Sequence, residues 1–393
     1  MILEITGEEF ASRRNQVIER LQEDKFQAFC FFNATSIFYL TGFYFIPTER
    51  PLAYILTADG RSVMMVPRLE VEHAESLTEV EIKSYPEYPG ETHPMEALRD
   101  IFQGMGLRAG RLVVDSDGYA SAMGYRGPRL SDLLPEALVR VDRYMIEDMR
   151  KVKSPGELAM ITESCRWGNL AHELLQEYAA VGRSELEITM SASTDATLMM
   201  MRALGRSYRP VGGGTGARAG FRGQIGANSA LPHAVTTNAR LKEGDVLVTG
   251  AASTVFGYTS ELERTMFVGA PSREQRKWFD LMCRAQEVAF SAIRPGRKCS
   301  DVEAEVQRFY REEGLNEYWR HHTGHALGLL GHEAPFFDRG DDTVLEPGMV
   351  FSVEPGIYVM GLGGFRHSDT LAVTDDGVEM LTYYPRDWES LVV

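Results

Sequence analysis

A helix-start signal at residue 154 does most to constrain how this chain can fold. In the stretch "KVKSPGELAMI", Ser154 suits the N-cap position, Pro155 fits the first helical position, and Glu157 lies three residues after the cap. The pattern that follows predicts a long helix. The chain has 393 residues, which is enough for two domains and a large core. We therefore place a domain boundary just before this helix, giving domains of residues 1–150 and 151–393.

The first domain alternates helical and strand patterns. Thr6 and Glu9 form a capping box ahead of an amphipathic helix. Asp59 and Gly60 lie at the centre of a predicted β-hairpin, "LAYILTADGRSVMMVP". Further strands and helices alternate along the rest of the domain. This order predicts a small α/β domain.

The second domain has a different pattern. Capping boxes at Ser184/Glu187 and Ser300/Glu303 predict further helices, and apolar strands lie between and after them. This order predicts an α+β fold with helices segregated onto an antiparallel sheet. The glycine-rich segment 209–228 has no helix start directly after it, which disfavours a dinucleotide or phosphate cradle. We predict a loop beside a site there.

Composition narrows the partners and the compartment. The net charge is −15 and no Lys/Arg block occurs, which argues against nucleic acid or an acidic membrane as partner. The sequence shows neither a signal peptide nor an apolar run long enough to span a membrane. The four cysteines lack metal-binding spacing and predict free thiols in a reducing compartment. We expect a cytoplasmic protein that acts on a small molecule.

Polar residues recur in the second domain inside apolar or glycine-flanked segments. In "TSELERT", period-two alternation places Glu261 and Glu263 on one face of a strand. Similar segments carry histidines, a third glutamate and an arginine. They are His233, His321, His325, His332, Glu354 and Arg366. Their spread over many positions, always in a strand or tight-turn context, predicts one convergent site.

The order of these motifs resembles a known family. The motifs are "ALPH", the acidic strand, "HTGHALGLLGHE", "VEPG" and "GFRHSD". Together with "NATSIFYLTGFYF" and the linker at residue 154, they resemble the creatinase/prolidase/methionine aminopeptidase superfamily over the whole chain. The resemblance implies a pita-bread catalytic domain, a small N-terminal α/β domain, and a homodimer whose active site is shared between subunits.

The resemblance also implies metal ligands, but this chain departs from the set. The metallopeptidases of the superfamily use Asp, Asp, His, Glu and Glu. The matching positions here are Gly250, Glu261, His325, Glu354 and Ser368. A dinuclear site needs bridging carboxylates, which glycine and serine cannot supply. We therefore expect no metal cofactor. The alternative is one divalent Mn, Zn or Co ion held by Glu261, His325 and Glu354.

The segment "LERT" is similar to that of creatinase, a metal-free member that hydrolyses a guanidinium C–N bond. That similarity implies His233 as catalytic acid and base, with Glu263 and Glu354 gripping the cation. His325 and His332 would orient groups or shuttle protons. The predicted substrate-binding residues are Glu261, Arg50, His321 and Arg366. Arg366 and Asp369 could equally be structural.

Three functions remain in competition. The leading hypothesis is a metal-independent, creatinase-like hydrolase of a small cationic guanidino or amidine substrate. The second is an Xaa-Pro dipeptidase or aminopeptidase with an atypical or one-metal site. The third is a non-catalytic member of the fold that binds a ligand or peptide.

Overall fold

The computed structural model describes residues 3–120, 123–208, 211 and 216–393. The described chain divides into two compact units, residues 5–149 and residues 150–393 with residues 3–4. The expected two-part α+β architecture, with an N-terminal α/β domain and a pita-bread domain, is confirmed. None of the helices in the described ranges combines the length and apolarity needed to cross a bilayer.

The helices begin and end as follows. They are α1 (Gly7–Glu23), α2 (Ala34–Thr41), α3 (Val71–Leu77), α4 (Pro94–Gly104), α5 (Leu130–Leu133), α6 (Met145–Arg150), α7 (Pro155–Tyr178), α8 (Glu185–Leu204), α9 (Arg273–Ala292) and α10 (Cys299–Glu312).

The strands of the first unit come first in the chain. They are β1 (Ala28–Phe31), β2 (Ala53–Thr57), β3 (Ser62–Pro67), β4 (Glu81–Tyr85), β5 (Arg111–Val114) and β6 (Leu138–Val141). The strands of the second unit are β7 (Ala217–Gly220), β8 (Val246–Val255), β9 (Tyr258–Thr259), β10 (Leu262–Phe267), β11 (Gly324–Ala326), β12 (Glu333–Phe337), β13 (Val350–Val353), β14 (Ile357–Val359), β15 (Gly363–Phe365), β16 (Ser368–Val373) and β17 (Val378–Met380).

The first unit is a mixed sheet covered by helices. Its strand order is β4-β3-β2-β1-β5-β6. The pairs β1–β2 and β2–β3 are antiparallel, whereas β3–β4, β1–β5 and β5–β6 are parallel. Cys30, Ile55 and Val114 on central strands pack with Leu98 and Phe102 of α4 in one buried cluster. The helix start at Thr6 and the hairpin at Asp59-Gly60 are confirmed, because each depends only on neighbouring residues.

The second unit is built on an antiparallel sheet. The path through it runs β12-β11-β13-β16-β10-β8-β7 among the described residues. The helix α7 packs on β8, where Ser164 Oγ donates to the carbonyl of Ser253 at 2.7 Å. The capping boxes predicted at Ser154 and Ser184 are both present. The one predicted at Ser300 is wrong, because α10 begins earlier, at Cys299, and Asp301 completes the cap.

The glycine-rich segment departs from the predicted loop. Part of it, residues 209–210 and 212–215, lies outside the described residues. Its next residues form the edge strand β7. Side chains of α8 hold the outer edge of that strand. Ser193 Oγ bonds the N–H and the carbonyl of Ala219 at 3.1 and 3.2 Å, and Thr197 Oγ1 donates to the carbonyl of Ala217 at 2.8 Å. This polar stripe replaces the hydrogen bonds that a further strand would supply.

Candidate active site

The strand register sets the geometry of the site. In the antiparallel ladders, Glu263 of β10 lies opposite Gly250 of β8 and Ser368 of β16. Gly250 in turn lies opposite Gly220 of β7. Side chains directly opposite one another share a face of the sheet. These four positions therefore form one row across the sheet, in which only Glu263 and Ser368 carry side chains.

Glu261 is held by two serines. Its Oε1 accepts hydrogen bonds from Ser352 Oγ at 2.7 Å and from Ser368 Oγ at 2.9 Å. Its backbone N–H donates to Thr370 Oγ1 at 3.0 Å. Among the described ion pairs, the only cationic partner that approaches its carboxylate is His325, with Nε2 at 3.8 Å. Glu261 is thus positioned by neutral donors and lacks a permanent positive charge beside it.

His325 of β11 is fully buried and faces two carboxylates. Its Nδ1 lies 3.1 Å from the carbonyl of Ala326, so Nδ1 carries a proton and donates it. Its Nε2 has no aligned hydrogen-bond partner among the described residues, although it lies 3.4 Å from Glu354 Oε1. Burial alone would lower the pKa of His325, but the carboxylates of Glu354 and Glu261 outweigh it and raise that pKa to about 9. These carboxylates therefore hold a proton on Nε2, and a metal ion bound there would replace that proton.

Glu354 and His332 complete this group. Burial opposes ionisation of Glu354, but the nearby imidazole of His325 and the charge of Arg366 hold its pKa below the usual range. The exposed ring of His332 stacks on that of His325, with centroids 3.7 Å apart. Burial and the charge of His325 lower the pKa of His332, which keeps its imidazole neutral. We call Glu261, His325, His332 and Glu354 the histidine cluster.

Glu263 has a very different environment. Its carboxylate accepts from both Nε and Nη2 of Arg366, the latter at 2.8 Å, in a bidentate pair. Both side chains are buried. Burial raises the pKa of Glu263 and the charge of Arg366 opposes this; the guanidinium itself stays protonated, so the two groups form an ion pair. We call Glu263 and Arg366 the arginine pair.

Tyr358 connects the arginine pair to His321. Its hydroxyl accepts from Arg366 Nη1 at 2.9 Å and lies 2.7 Å from His321 Nε2. His321 Nδ1 faces the carbonyl of His322 at 2.9 Å, so Nε2 is the acceptor and the tyrosine donates to it. Burial lowers the pKa of His321 to about 4, in keeping with a neutral ring. His321 therefore orients Tyr358, and Tyr358 helps to hold Arg366.

Two predicted residues remain, His233 and Arg50. His233 is exposed. Arg50 belongs to the first unit, where its guanidinium bonds both oxygens of Glu87 at 2.7 and 3.2 Å and also bonds Glu49. Its proposed contact with a substrate stays a prediction. Asp369 faces away from Arg366 and pairs instead with Arg264 at 2.7 Å.

Comparison with known proteins gives the class. The model of metallopeptidase family M24 matches residues 159–375, and that of the creatinase/prolidase N-terminal domain matches residues 13–152. The chain therefore belongs to metallopeptidase family M24, within the creatinase/prolidase/aminopeptidase P superfamily, as the motifs indicated. The expectation of a hydrolase acting on C–N bonds is confirmed.

Individual relatives agree with this class. The chain is 26% identical over 377 residues to an Xaa-Pro dipeptidase of Pyrococcus horikoshii, covering 95% of this chain and 97% of the relative. It is 31% identical over 243 residues to an Xaa-Pro dipeptidase of Pyrococcus furiosus, covering 62% and 66% of the two chains. The structure of dipeptidase PepE from Mycobacterium ulcerans superposes with a TM-score of 0.83 at 24% identity over 99% of both chains, which shows a shared fold.

Two expectations are overturned by these matches. The creatinase-like, metal-independent function is wrong, because the chain belongs to a metallopeptidase family and its relatives are Xaa-Pro dipeptidases. The expectation of no cofactor is wrong for the same reason. The structure supplies a physical cause of the first error. Glu263, which was expected to grip a substrate guanidinium, already holds the guanidinium of Arg366 on both its oxygens.

Sequence reasoning also missed residues that shape the site. Ser352 was not singled out, although it lies two residues before Glu354 and period-two alternation places the two on one face. Ser368 was noted only as a lost ligand, yet its hydroxyl bonds Glu261. Tyr358 gave no signal, because its role depends on Arg366, which it meets only because Arg366 directly follows the short hairpin of β14 and β15.

Proposed function

We propose that this chain is a metal-dependent peptidase that cleaves Xaa-Pro dipeptides, with one divalent ion (Mn, Zn or Co) held by Glu261, His325 and Glu354. The observation that carries the proposal is the buried Nε2 of His325, which lacks an aligned partner among the described residues and faces two carboxylates. One oxygen or nitrogen of Glu261, His325 and His332 lies within 4.8 Å of each of the others, and so do oxygens of Glu261, Glu263 and Glu354. A nitrogen with two carboxylates is a suitable donor set for these ions.

A second ion does not fit the same residues. Two of the five positions that bind metal in the family carry Gly250 and Ser368, and Glu263 is occupied by Arg366. The permanent guanidinium would also repel a divalent ion placed beside it. The proposal is therefore a one-ion site with an arginine beside it.

The chain's own residues have separate parts in the proposed reaction. A bound ion would polarise the scissile carbonyl and lower the pKa of a water molecule. Ser352 and Ser368 fix the carboxylate of Glu261 by hydrogen bonds. We assign to the exposed imidazoles of His332 and His233 the roles of bonding the substrate carbonyl and protonating the departing proline nitrogen. The arginine pair holds the carboxylate of Glu263 in one orientation beside the ion-binding residues.

A homodimer and a cytoplasmic location belong to the same proposal. A stripe of exposed apolar side chains on α8 supports an interface, since such patches are typical of contact surfaces. Its members are Leu186, Met190, Leu198 and Met201. Light scattering on the purified protein should give twice the mass of one chain.

Proline release tests the function. We expect the purified protein to cleave dipeptides such as Met-Pro, and to leave Met-Ala, the matched control, far less affected. Dialysis against a chelator should abolish proline release, and Mn, Co or Zn should restore it. Activity that survives complete removal of metal would contradict the proposal, as would equal cleavage of both dipeptides.

A further inference from the structure

A cavity of about 400 Å³ opens beside the proposed catalytic residues, between α8 and the strands β7 and β8. Glu261 and Glu263 line one end of it, and Glu185, Leu186 and Thr189 of α8 line the other. We call this space the Glu185 cavity. Its volume is typical of sites that accept small molecules. Because it adjoins Glu261, a molecule bound at the histidine cluster can extend into it.

Small residues on two neighbouring strands create this space. Gly220 of β7 lies opposite Gly250 of β8, and Ala252 follows two residues after Gly250 on the same face. All three line the cavity. A Cβ atom at Gly250 would lie 3.4 Å from Glu263 Oε1, so an aspartate there would project into the space beside Glu263. Gly250, which stands where the family has a metal-binding aspartate, therefore also leaves the space towards α8 open.

Glu185 is an unusual residue at the far end of this route. It is the first residue of α8, and only 1% of it is exposed. Its Oε1 accepts from the N–H of Gly223 at 2.5 Å and from the hydroxyl of Thr236 at 3.1 Å. Its Oε2 is buried and has no hydrogen-bond partner among the residues that the structure describes. A buried carboxylate oxygen without a donor is costly, and Glu185 belongs to the cavity wall, so a donor that enters the cavity is the candidate partner of this oxygen.

The charges around the cavity indicate the nature of that donor. Arg222 also lines the cavity, but its Nη2 lies 3.7 Å from Glu263 Oε1, at the opposite end. The other arginine of the lining, Arg218, is exposed and lies opposite Ala252 in the β7–β8 ladder. Neither arginine makes a hydrogen bond to Glu185 among the described residues, whose carboxylate is held only by an amide and a hydroxyl. A positively charged ligand group is the strongest partner for such an oxygen.

We propose that the Glu185 cavity is a specificity subsite for a positively charged side chain, whose ammonium or guanidinium group binds Glu185 Oε2. This inference rests on the proposed function in one respect. With proline fixed on one side of the scissile bond, the basic side chain belongs to the residue that precedes it. The preferred substrates are then dipeptides of the Lys-Pro and Arg-Pro type.

Direct binding of two free amino acids tests the subsite without any need for catalysis. L-Lysine and L-norleucine have similar linear side chains and differ in the terminal ammonium group. By calorimetry on the metal-loaded protein, we expect lysine to bind about tenfold tighter than norleucine. Glu185→Gln keeps an oxygen for Gly223 and Thr236 but removes the charge. It should bring the two affinities within about twofold of each other.

Two further variants keep this test decisive. Glu187→Gln changes an exposed glutamate of the same helical turn, and glutamine retains the cap, so the preference for lysine should remain. Ala252→Leu narrows the cavity and should weaken both ligands. A wild type without preference for lysine would overturn the inference. So would a preference that persists in Glu185→Gln, or unchanged lysine binding in Ala252→Leu.

The failure of this inference can be told from the failure of the proposed function. Lysine preference in a protein that cleaves no Xaa-Pro dipeptide would overturn the peptidase and leave the subsite. Cleavage of Met-Pro and Lys-Pro with equal kcat/KM, combined with equal binding of the two amino acids, would overturn the subsite and leave the peptidase.

Discussion

The histidine cluster and the arginine pair each contain one of two glutamates from the same strand segment, Glu261 and Glu263. The two carboxylates differ in the groups that surround them. Glu261 is held by the hydroxyls of Ser352 and Ser368 and faces the unpaired Nε2 of His325. Glu263, two residues later, is neutralised by two N–H groups, Nε and Nη2, on one edge of the Arg366 guanidinium. The first group contains a titratable cation, the imidazolium of His325, and the second contains a permanent one.

This difference shows how a site with this fold can do without a second metal ion and still keep its carboxylates buried. Two carboxylates close together repel one another unless a cation lies between them. The row across the sheet carries Gly250 and Ser368 at two positions that bind metal in the family. Arg366 supplies the positive charge that a second metal ion would have supplied. In the proposed function, this site has one resident cation, Arg366, and binds one metal ion.

The largest effect is expected from His325→Ala, which removes the nitrogen of the histidine cluster. Metal retained after dialysis should fall from about one ion per chain to a small fraction, and kcat/KM for Met-Pro should fall by about 1000-fold or more. The control is His322→Gln, in the same segment but directed at Phe336 and Asp338. Normal metal content in His325→Ala would show that the histidine cluster does not bind the metal ion.

The next effect concerns the arginine pair. Arg366→Met leaves Glu263 buried without its partner, which should lower the free energy of unfolding by about 3–5 kcal/mol. Chemical denaturation measures it. The double variant Glu263→Gln/Arg366→Met removes both charges and should recover at least half of the loss. Simple additivity of the two single variants would show that the pair is not coupled.

A smaller effect on stability is expected from Gly250→Asp, and its sign depends on whether metal is present. A Cβ at this position makes an ordinary contact with Glu263 Oε1, so the side chain fits. The added charge lies near two glutamates and should destabilise the metal-free protein by about 1–2 kcal/mol. Excess Mn should stabilise the variant by more than it stabilises the wild type. An equal thermal shift in both proteins would show that the added carboxylate does not reach the ion held by Glu261.

The smallest effect is expected from Ser352→Ala. It removes the 2.7 Å hydrogen bond to Glu261 but leaves that of Ser368. Metal affinity should fall by about tenfold, and the free energy of unfolding by about 1 kcal/mol. Competition with a fluorescent chelator measures the affinity. Ser62→Ala, in β3 of the first unit, is the control, and it should leave metal affinity unchanged.

The sequence predicts those features that depend on near neighbours. The starts of α7 and α8 follow from capping boxes at Ser154 and Ser184, and the motif order indicates the family. The strand β7 could not be predicted, because its outer edge is held by Ser193 and Thr197 of α8 rather than by its own pattern.

The division between the two glutamates was equally beyond the sequence. Alternation places Glu261 and Glu263 on one face, but it does not say which cation each one meets. That depends on Arg366, more than one hundred residues away, and on the β10–β16 register, which brings the residues just before β16 alongside Glu263. The same limit applies to Glu185, whose unpartnered oxygen becomes visible only once the cavity is formed.

The most direct test of a one-ion site beside an arginine is the number of metal ions per chain. The wild-type protein should be saturated with Mn, freed of excess ions by gel filtration, and analysed by mass spectrometry for metal and by amino-acid analysis for protein. This account predicts one ion per chain, with none retained by His325→Ala. Two ions per wild-type chain would contradict it, because Arg366 would then not replace the second ion.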